Sequence, residues 1–160
     1  MKIYLFFTAI LTCSSCDSDT DPGLAQAEAS LGISSSVEII EVASGNLSGT
    51  EKRRFSVLDT QDTFEQEFSL FSQNPAPVLD FQTGVVLLAS YGFAPSTDHF
   101  IEVSGVTDLG NYLEVDVVLK SPVSCFAGFI VTGPYQFVYI ESRKLVVVQE
   151  SFEDSCNSQL

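Results

Sequence analysis

A single histidine, His99, limits the acid–base chemistry that this 160-residue chain can perform. A hydrolytic triad needs a nucleophile, a base and a group that orients the base, so every such triad here would have to use His99. The sequence contains no G-x-S-x-G motif to supply the nucleophile. His99 follows a turn at the start of a predicted strand, where a partly buried, hydrogen-bonded histidine is the usual outcome. We predict that His99 is not catalytic.

Three carboxylates offer a second kind of acid–base chemistry. Glu114 and Asp116 alternate along one predicted strand, and Glu102 lies on its neighbour. Two carboxylates that share a sheet face could act as acid and base if they lined a concave pocket. A row of acidic residues more commonly keeps an exposed sheet face soluble. We predict that the protein is not an enzyme, and an active site built on these three residues is the alternative.

The sequence predicts no metal site and no cofactor. Asp17, Asp19 and Asp21 have the spacing of calcium ligands, but the glycine falls at Gly23 and no glutamate closes the loop. Cys125 and Cys156 do not form a C-x-x-C pair, and the sequence has no glycine-rich phosphate loop.

The two cysteines of the second half of the chain, Cys125 and Cys156, predict a disulfide if the protein is exported. Free thiols or metal binding are the alternatives, and the single histidine disfavours a zinc site.

Residues 1–16 predict export. Lys2 precedes the apolar run 3–11, which is too short for a permanent membrane span but suits a secretory signal. The run is followed by small residues and cysteines, as in a bacterial lipoprotein signal, and Ser15 favours Cys16 as the lipidated residue. Cleavage before Cys13 and an ordinary signal peptide are the alternatives. We expect lipid anchoring in a bacterial envelope, at the outer membrane or the periplasmic face of the inner membrane.

Composition and length limit the partner class and the number of domains in the rest of the chain. The formal net charge is -14, with 7 basic against 21 acidic residues, which disfavours nucleic acid as a partner. Residues 17–36 contain few large apolar side chains and predict a flexible acidic tether. The remaining length suits one domain, residues 37–152, followed by a tail at 153–160.

Hydrophobic residues at every second position predict a chain that is mostly strand. An uninterrupted apolar run at 85–88 predicts a central strand that is buried on both faces. The predicted fold is mainly β with one short helix (α+β), an antiparallel sheet or sandwich of about seven strands. The predicted strands are 37–42, 53–58, 85–91, 99–107, 112–120, 134–141 and 144–150.

The only strong helix pattern covers residues 63–72. Asp62 is suited to cap its first turn, with Glu65 reaching back in a capping box. Three phenylalanines lie on one face and are expected in the core: Phe64, Phe68 and Phe71.

Two hairpins are predicted from the strand pattern. Joining the apolar faces of 99–107 and 112–120 requires an odd loop, so a three-residue turn at 109–111 would pair Ile101 with Leu119 and Val103 with Val117. A second hairpin, turning at 142–143, would pair 134–141 with 144–150 and bring Cys125 near Cys156.

Several segments resemble one family. They are residues 44–49 before a strand, the aromatic helix at 62–71, residues 79–81 before the central strand, and residues 134–135. Over about 37–149, the chain resembles the family named for the PrcB protein of a bacterial surface protease complex. The resemblance implies a non-enzymatic accessory or binding module that assists an envelope protease.

The family's glycine-rich loop, G-x-x-P-T-G-G-Y, is altered at residues 92–99 of this chain. Thr97 and Asp98 stand where the family has two glycines. The predicted binding loop consists of Gly92, Ala94, Pro95, Ser96, Thr97 and Asp98. A protease inhibitor that presents this loop to an active-site cleft is the alternative function.

Overall fold

Two four-stranded sheets pack face to face, and one helix covers the outer side of one sheet. The computed structural model describes residues 34–47, 50–123 and 129–156. The predicted signal at 1–16 lies outside the described residues, as does most of the predicted tether at 17–36. The elements are β1 Ser35–Ser36, β2 Ile39–Gly45, β3 Arg54–Leu58, α1 Gln61–Phe68, β4 Val85–Ser90, β5 Ala94–Ser96, β6 Phe100–Asp108, β7 Tyr112–Ser121, β8 Phe129–Thr132, β9 Tyr135–Ile140 and β10 Leu145–Asp154.

The first sheet has the order β1-β6-β7-β10 and the second β2-β9-β4-β3, while β5 and β8 form a separate pair. Every pairing is antiparallel except that of β7 with β10, which is parallel. The predicted fold class, mainly β with one short helix, is confirmed. The described residues contain ten strands, and the three short ones that were not predicted are β1, β5 and β8.

The first core lies between the two sheets. Alternate residues of β7 point into it and are fully buried, which is the pattern expected for a strand with one face on a core. Residues of β4 and β9 meet them from the second sheet. The central side chains are Leu113, Val115, Val117 and Leu119 on one side, and Leu87, Val138 and Ile140 on the other.

The second core lies between the second sheet and α1. All six residues of β4 are buried, as predicted for a central strand covered on both faces. The ring of Phe137 lies at the centre, with its centroid 5.8 Å from that of Phe64 and 5.3 Å from those of Phe68 and Phe71. The predicted aromatic face of the helix is therefore confirmed as core.

The predicted bounds and cap of the helix are wrong. The helix spans Gln61–Phe68, and its N-cap is Thr60, whose Oγ1 accepts the Thr63 N–H at 3.3 Å. Asp62 lies in the first turn, and Glu65 accepts from the Gln61 side chain instead of completing a capping box. Thr60 takes the cap because its extended backbone aims the hydroxyl at the free amides of the first turn.

The first hairpin has the predicted pairs but a different turn. Ile101 pairs with Leu119 and Val103 with Val117, and then a bulge at Ser104 shifts the register by one residue. The turn contains two residues, closed by the Leu109 N–H on the Tyr112 carbonyl at 3.0 Å. The predicted three-residue loop is wrong. One extra residue is needed to bring the two apolar faces together, and the bulge in β6 supplies it instead of the turn.

The second hairpin does not exist. β9 lies inside the second sheet with β2 and β4 on its two edges, so neither edge is free for β10. After residues 142–143 the chain crosses to the first sheet, where β10 pairs in parallel with β7. β9 is buried throughout, whereas β10 is partly exposed, which explains why they occupy different positions.

The domain begins beside the turn of the first hairpin. Ser35 pairs with Asp108 and Ser36 with Thr107, so the last two residues of the predicted tether form a short strand. The Val37 N–H then bonds to the Val106 carbonyl, and the chain crosses to the second sheet as β2.

Candidate binding cleft at one end of the sandwich

A cleft of about 730 Å³ opens at the end of the sandwich where β6 begins and β7 ends. The end of β2 and the start of β9 form its other wall. Side chains of mixed character line it, including Glu41, Phe100, Glu102, Lys120, Gln136 and Ser155. A cleft of this size with a few polar groups among apolar ones is the usual form of a binding site.

Gln136 holds one wall in place. Its Oε1 accepts the main-chain N–H of Val103 at 2.7 Å, and its Nε2 donates to Glu41 at 2.8 Å. Glu41 also accepts from the hydroxyl of Ser44 at 2.8 Å. The Glu41 side chain is thereby oriented, yet it has no cationic partner among the residues that the structure describes.

The other wall carries a small ion cluster. Nζ of Lys120 lies 3.1 Å from Glu102 and 3.8 Å from Glu153. The cleft therefore has more acidic than basic groups. Sequence reasoning did not single out Glu41, Lys120 or Gln136 as site residues. The available signal was Gln136 itself, a polar side chain at the second position of a strand whose other residues are aromatic or aliphatic.

Ser155 brings an unpaired hydroxyl to the cleft. Its Oγ is buried and has no hydrogen-bond partner in the described part of the chain. Buried polar atoms are usually satisfied, so this hydroxyl is a free hydrogen-bonding group at the cleft wall.

Exposed apolar side chains surround the same end of the sandwich. Leu47 follows Asn46, which lines the cleft and accepts the Gly133 N–H at 2.7 Å. Ile130 and Val131 lie on β8 just before Gly133 and are 61% and 67% exposed. We define the apolar rim as Leu47, Phe93, Phe100, Val123, Ile130 and Val131, all of which are exposed. Apolar groups concentrated in one region commonly mark a surface that binds another molecule.

The predicted binding loop does not line the cleft and is not a free loop. Ala94 and Ser96 are buried in β5, where they pair with β8, and the hydroxyl of Thr132 donates to the Ser96 carbonyl at 2.7 Å. Gly92 is buried with φ +81°, and a Cβ there would lie 2.7 Å from the backbone of residues 52–53. Pro95 and Thr97 are exposed, and Asp98 is half-buried. Three residues of the predicted loop are therefore buried in the fold and not exposed to a partner: Gly92, Ala94 and Ser96.

His99 occupies a half-buried site at the start of β6. Its Nδ1 lies 2.9 Å from Oγ of Ser96, and its ring packs edge-on to Tyr91 with centroids 5.3 Å apart. This is the partly buried, hydrogen-bonded histidine that was predicted.

The three predicted carboxylates do not form one site. Glu102 lines the cleft, whereas Glu114 and Asp116 lie further along the outer face of the first sheet and pair with Thr107 and Gly105. The predicted three-residue turn would have paired these two residues with Val106 and Ser104, and the bulge moves each pairing by one residue. Within the described ranges, no group of His, Cys, Asp and Glu could hold a metal ion.

The cysteines can be placed only in part. β10 ends beside the end of β7, and Oδ1 of Asp154 accepts the N–H of Val123 at 3.1 Å and that of Cys156 at 3.0 Å. Cys125 lies outside the described residues, as do Cys13 and Cys16. The Cys125–Cys156 disulfide stays a prediction, and the contact with Val123 supports it because Val123 is close to Cys125 in sequence.

Two groups in the described part of the chain have clearly shifted pKa values. Hydrogen bonds from Lys144 and from the Gly110 N–H lower the pKa of Asp108. Burial raises the pKa of Tyr135. Asp108 lies at the far end of β6 from the cleft, where its carboxylate joins the first hairpin to Lys144 in the connection between β9 and β10.

Comparison with known proteins finds no matching family model, no matching curated protein and no matching solved structure. The resemblance to the PrcB-like family therefore stays a prediction. No helix in the described part of the chain is long and apolar enough to cross a membrane.

Proposed function

We propose that this protein is a lipid-anchored component of a bacterial envelope whose β domain binds another protein through the cleft and its apolar rim. The observation that carries the proposal is the rim. Six exposed apolar residues lie within or next to the strand ends at the end of the sandwich where the cleft opens, and Phe100 among them lines the cleft. Exposed apolar side chains grouped at one end of a domain commonly mark a surface that binds another protein.

The direction of the chain supports the same proposal. The domain begins at Ser35, beside Asp108, and the cleft lies at Phe100, at the other end of β6. β6 spans nine residues, which corresponds to roughly 27 Å at about 3.4 Å per residue. The described chain therefore enters β1 at the end of the sandwich remote from the cleft, so this entry point does not obstruct the rim.

The partner class follows from the resemblance to PrcB-like proteins. We propose an accessory role in an envelope protease complex, with no catalysis by this chain. Affinity capture from solubilised envelope with the tagged mature protein tests it. A specific partner should be recovered, and Ile130→Asp or Phe93→Asp should reduce its recovery at least about tenfold by removing apolar burial at the interface.

A matched control comes from Val78, which is 88% exposed but lies in the connection after the helix and not on the rim. Val78→Asp should leave recovery unchanged. Repeated capture of no specific partner, or equal loss with Val78→Asp, would contradict the proposal. Intact-mass measurement of the membrane-bound protein, with Cys16→Ser and Cys13→Ser variants, tests the anchor separately.

The alternative, a protease inhibitor, has one favourable observation. Exposed and buried residues alternate along this segment. Pro95 and Thr97 are exposed, whereas Ala94 and Ser96 are buried and pair with β8. An extended segment held rigidly in this way could occupy a protease cleft at low entropic cost. Inhibition of a protease that is lost in the Pro95→Gly, Thr97→Gly double variant would support this function, and a broad panel with no inhibition would exclude it.

A further inference from the structure

The edge of β6 that faces the cleft is not covered by another strand. β1 pairs only with residues 107–108, and the Val37 N–H adds one bond to Val106. The chain then crosses to the second sheet. Among the described residues, no strand pairs with this edge between Phe100 and Val103.

The orientation of the main chain at this edge can be deduced from Val103. Its N–H bonds to the side chain of Gln136 and therefore points away from β7. Residues two apart in an antiparallel strand point their N–H and C=O groups in the same direction. The N–H and C=O of Ile101 therefore also face away from β7, and Ile101 lines the cleft.

The bond between Val103 and Gln136 shows that main-chain groups on this edge need hydrogen-bond partners from outside the first sheet. Oε1 of Gln136 bonds to the Val103 N–H as the carbonyl of a neighbouring strand would. Ile101 has no such partner among the described residues. An added peptide strand is the ordinary way in which the free edge of a sheet is satisfied.

The charge of the cleft indicates that a bound peptide carries a basic side chain. Glu41 is exposed, oriented by Ser44 and Gln136, and has no cationic partner in the described residues. Lys120, the basic residue of the cleft, is already paired with Glu102. A basic side chain placed on Glu41 would form an ion pair, whereas an acidic one would be repelled.

We propose that an extended peptide segment with a Lys or Arg binds in the cleft as a strand on the edge of β6, hydrogen-bonded to Ile101, with its basic side chain on Glu41. This inference rests on the proposed binding function and names the chemistry of the partner. The apolar rim would contact side chains on either side of the bound strand.

Selection from a displayed library of random octapeptides against the mature domain tests the proposal. The enriched peptides should be rich in Lys or Arg, and a labelled enriched peptide should bind at least about tenfold more weakly to Glu41→Arg. Glu114→Arg is the matched control, because it makes the same charge change on the same domain outside the cleft. Acidic enriched peptides, or equal loss in both variants, would overturn the proposal.

Amide hydrogen exchange tests the strand itself. The Ile101 N–H should exchange rapidly in the free domain and become protected when the enriched peptide is saturating. The Val103 N–H should be protected in both states because Gln136 already holds it. Binding without protection at Ile101 would show that the peptide lies elsewhere. Dimerisation that Glu41→Arg abolishes would show instead that a second copy occupies the edge.

The two proposals can fail separately. Capture of an envelope partner that depends on Phe93 and Ile130 but not on Glu41 would leave the proposed function intact and reject the peptide strand. A library without any enrichment would also reject the peptide strand alone.

Discussion

Oε1 of Gln136 accepts the main-chain N–H of Val103 at 2.7 Å, and this bond joins the two sheets of the sandwich. Gln136 belongs to β9 in the second sheet, and Val103 belongs to β6 in the first. The same side chain donates from Nε2 to Glu41. One residue thus satisfies a buried edge amide and orients the carboxylate of the candidate cleft.

Replacing Gln136 by Ala should destabilise the domain. The Val103 N–H would lose its partner, and a buried unsatisfied amide costs about 1–3 kcal/mol. Urea unfolding should show this loss, with little change for Gln149→Ala on the exposed part of β10. Equal stability of Gln136→Ala and the native chain would mean that water replaces the glutamine.

Gly92 should tolerate alanine less well than Gly110 does. Both have positive φ, +81° and +88°, so a side chain is strained at either position. A Cβ at Gly92 would also meet the Arg53 backbone nitrogen at 2.7 Å, whereas nothing lies within 4 Å at Gly110. We expect Gly110→Ala to cost about 1 kcal/mol and Gly92→Ala clearly more, as measured by urea unfolding. The reverse order would contradict the close approach at Gly92.

Phe64→Ala should be the most damaging change in the helix. Phe64 is fully buried and contacts the rings of Phe68, Phe81 and Phe137. Truncating a buried phenylalanine costs about 3–5 kcal/mol. Leu70→Ala, just after the helix and half exposed, is the control and should change stability little. A small effect of Phe64→Ala on thermal unfolding would argue against the second core.

The stability of the domain should contain a contribution from Asp108 that depends on pH. The folded-state pKa of Asp108 is lowered, first by its hydrogen bond from Lys144. Its ionised form is therefore favoured by folding. That stabilisation is present above the ordinary pKa of an aspartate and is lost as the pH falls through the lowered value. Asp108→Asn should reduce stability at neutral pH and match the native chain in strong acid, which unfolding at a series of pH values would show. A difference that persists in strong acid would contradict this origin.

Reduction should destabilise the exported protein if Cys125 and Cys156 are paired. The entropy model assigns roughly 3 to 4 kcal/mol to a loop of this size. Intact mass before and after thiol alkylation would show the bond, and the Cys125→Ser, Cys156→Ser double variant should unfold at the same temperature with or without a reductant. Alkylation of both cysteines without prior reduction would exclude the pairing.

Local signals were sufficient for most of the elements. Alternation predicted the longer strands other than β4. The apolar run of β4 predicted that strand and its central position, because burial on both faces leaves no polar positions. The phenylalanine spacing of α1 predicted a core face, although the cap is Thr60, two residues before the expected Asp62. These features depend on residues close together in the sequence.

Local sequence patterns are enough to predict the strand content, the aromatic face of the helix and the pairing of Ile101 with Leu119. Which strands are neighbours, and where the candidate site lies, depends on tertiary packing. A strand pattern specifies which face is buried but not which edge is paired, so the parallel β7–β10 pair and the separation of β9 from β10 were not predictable. The cleft joins Glu41, Ile101 and Gln136, which are distant in the sequence, and only the packing of the two sheets brings them together.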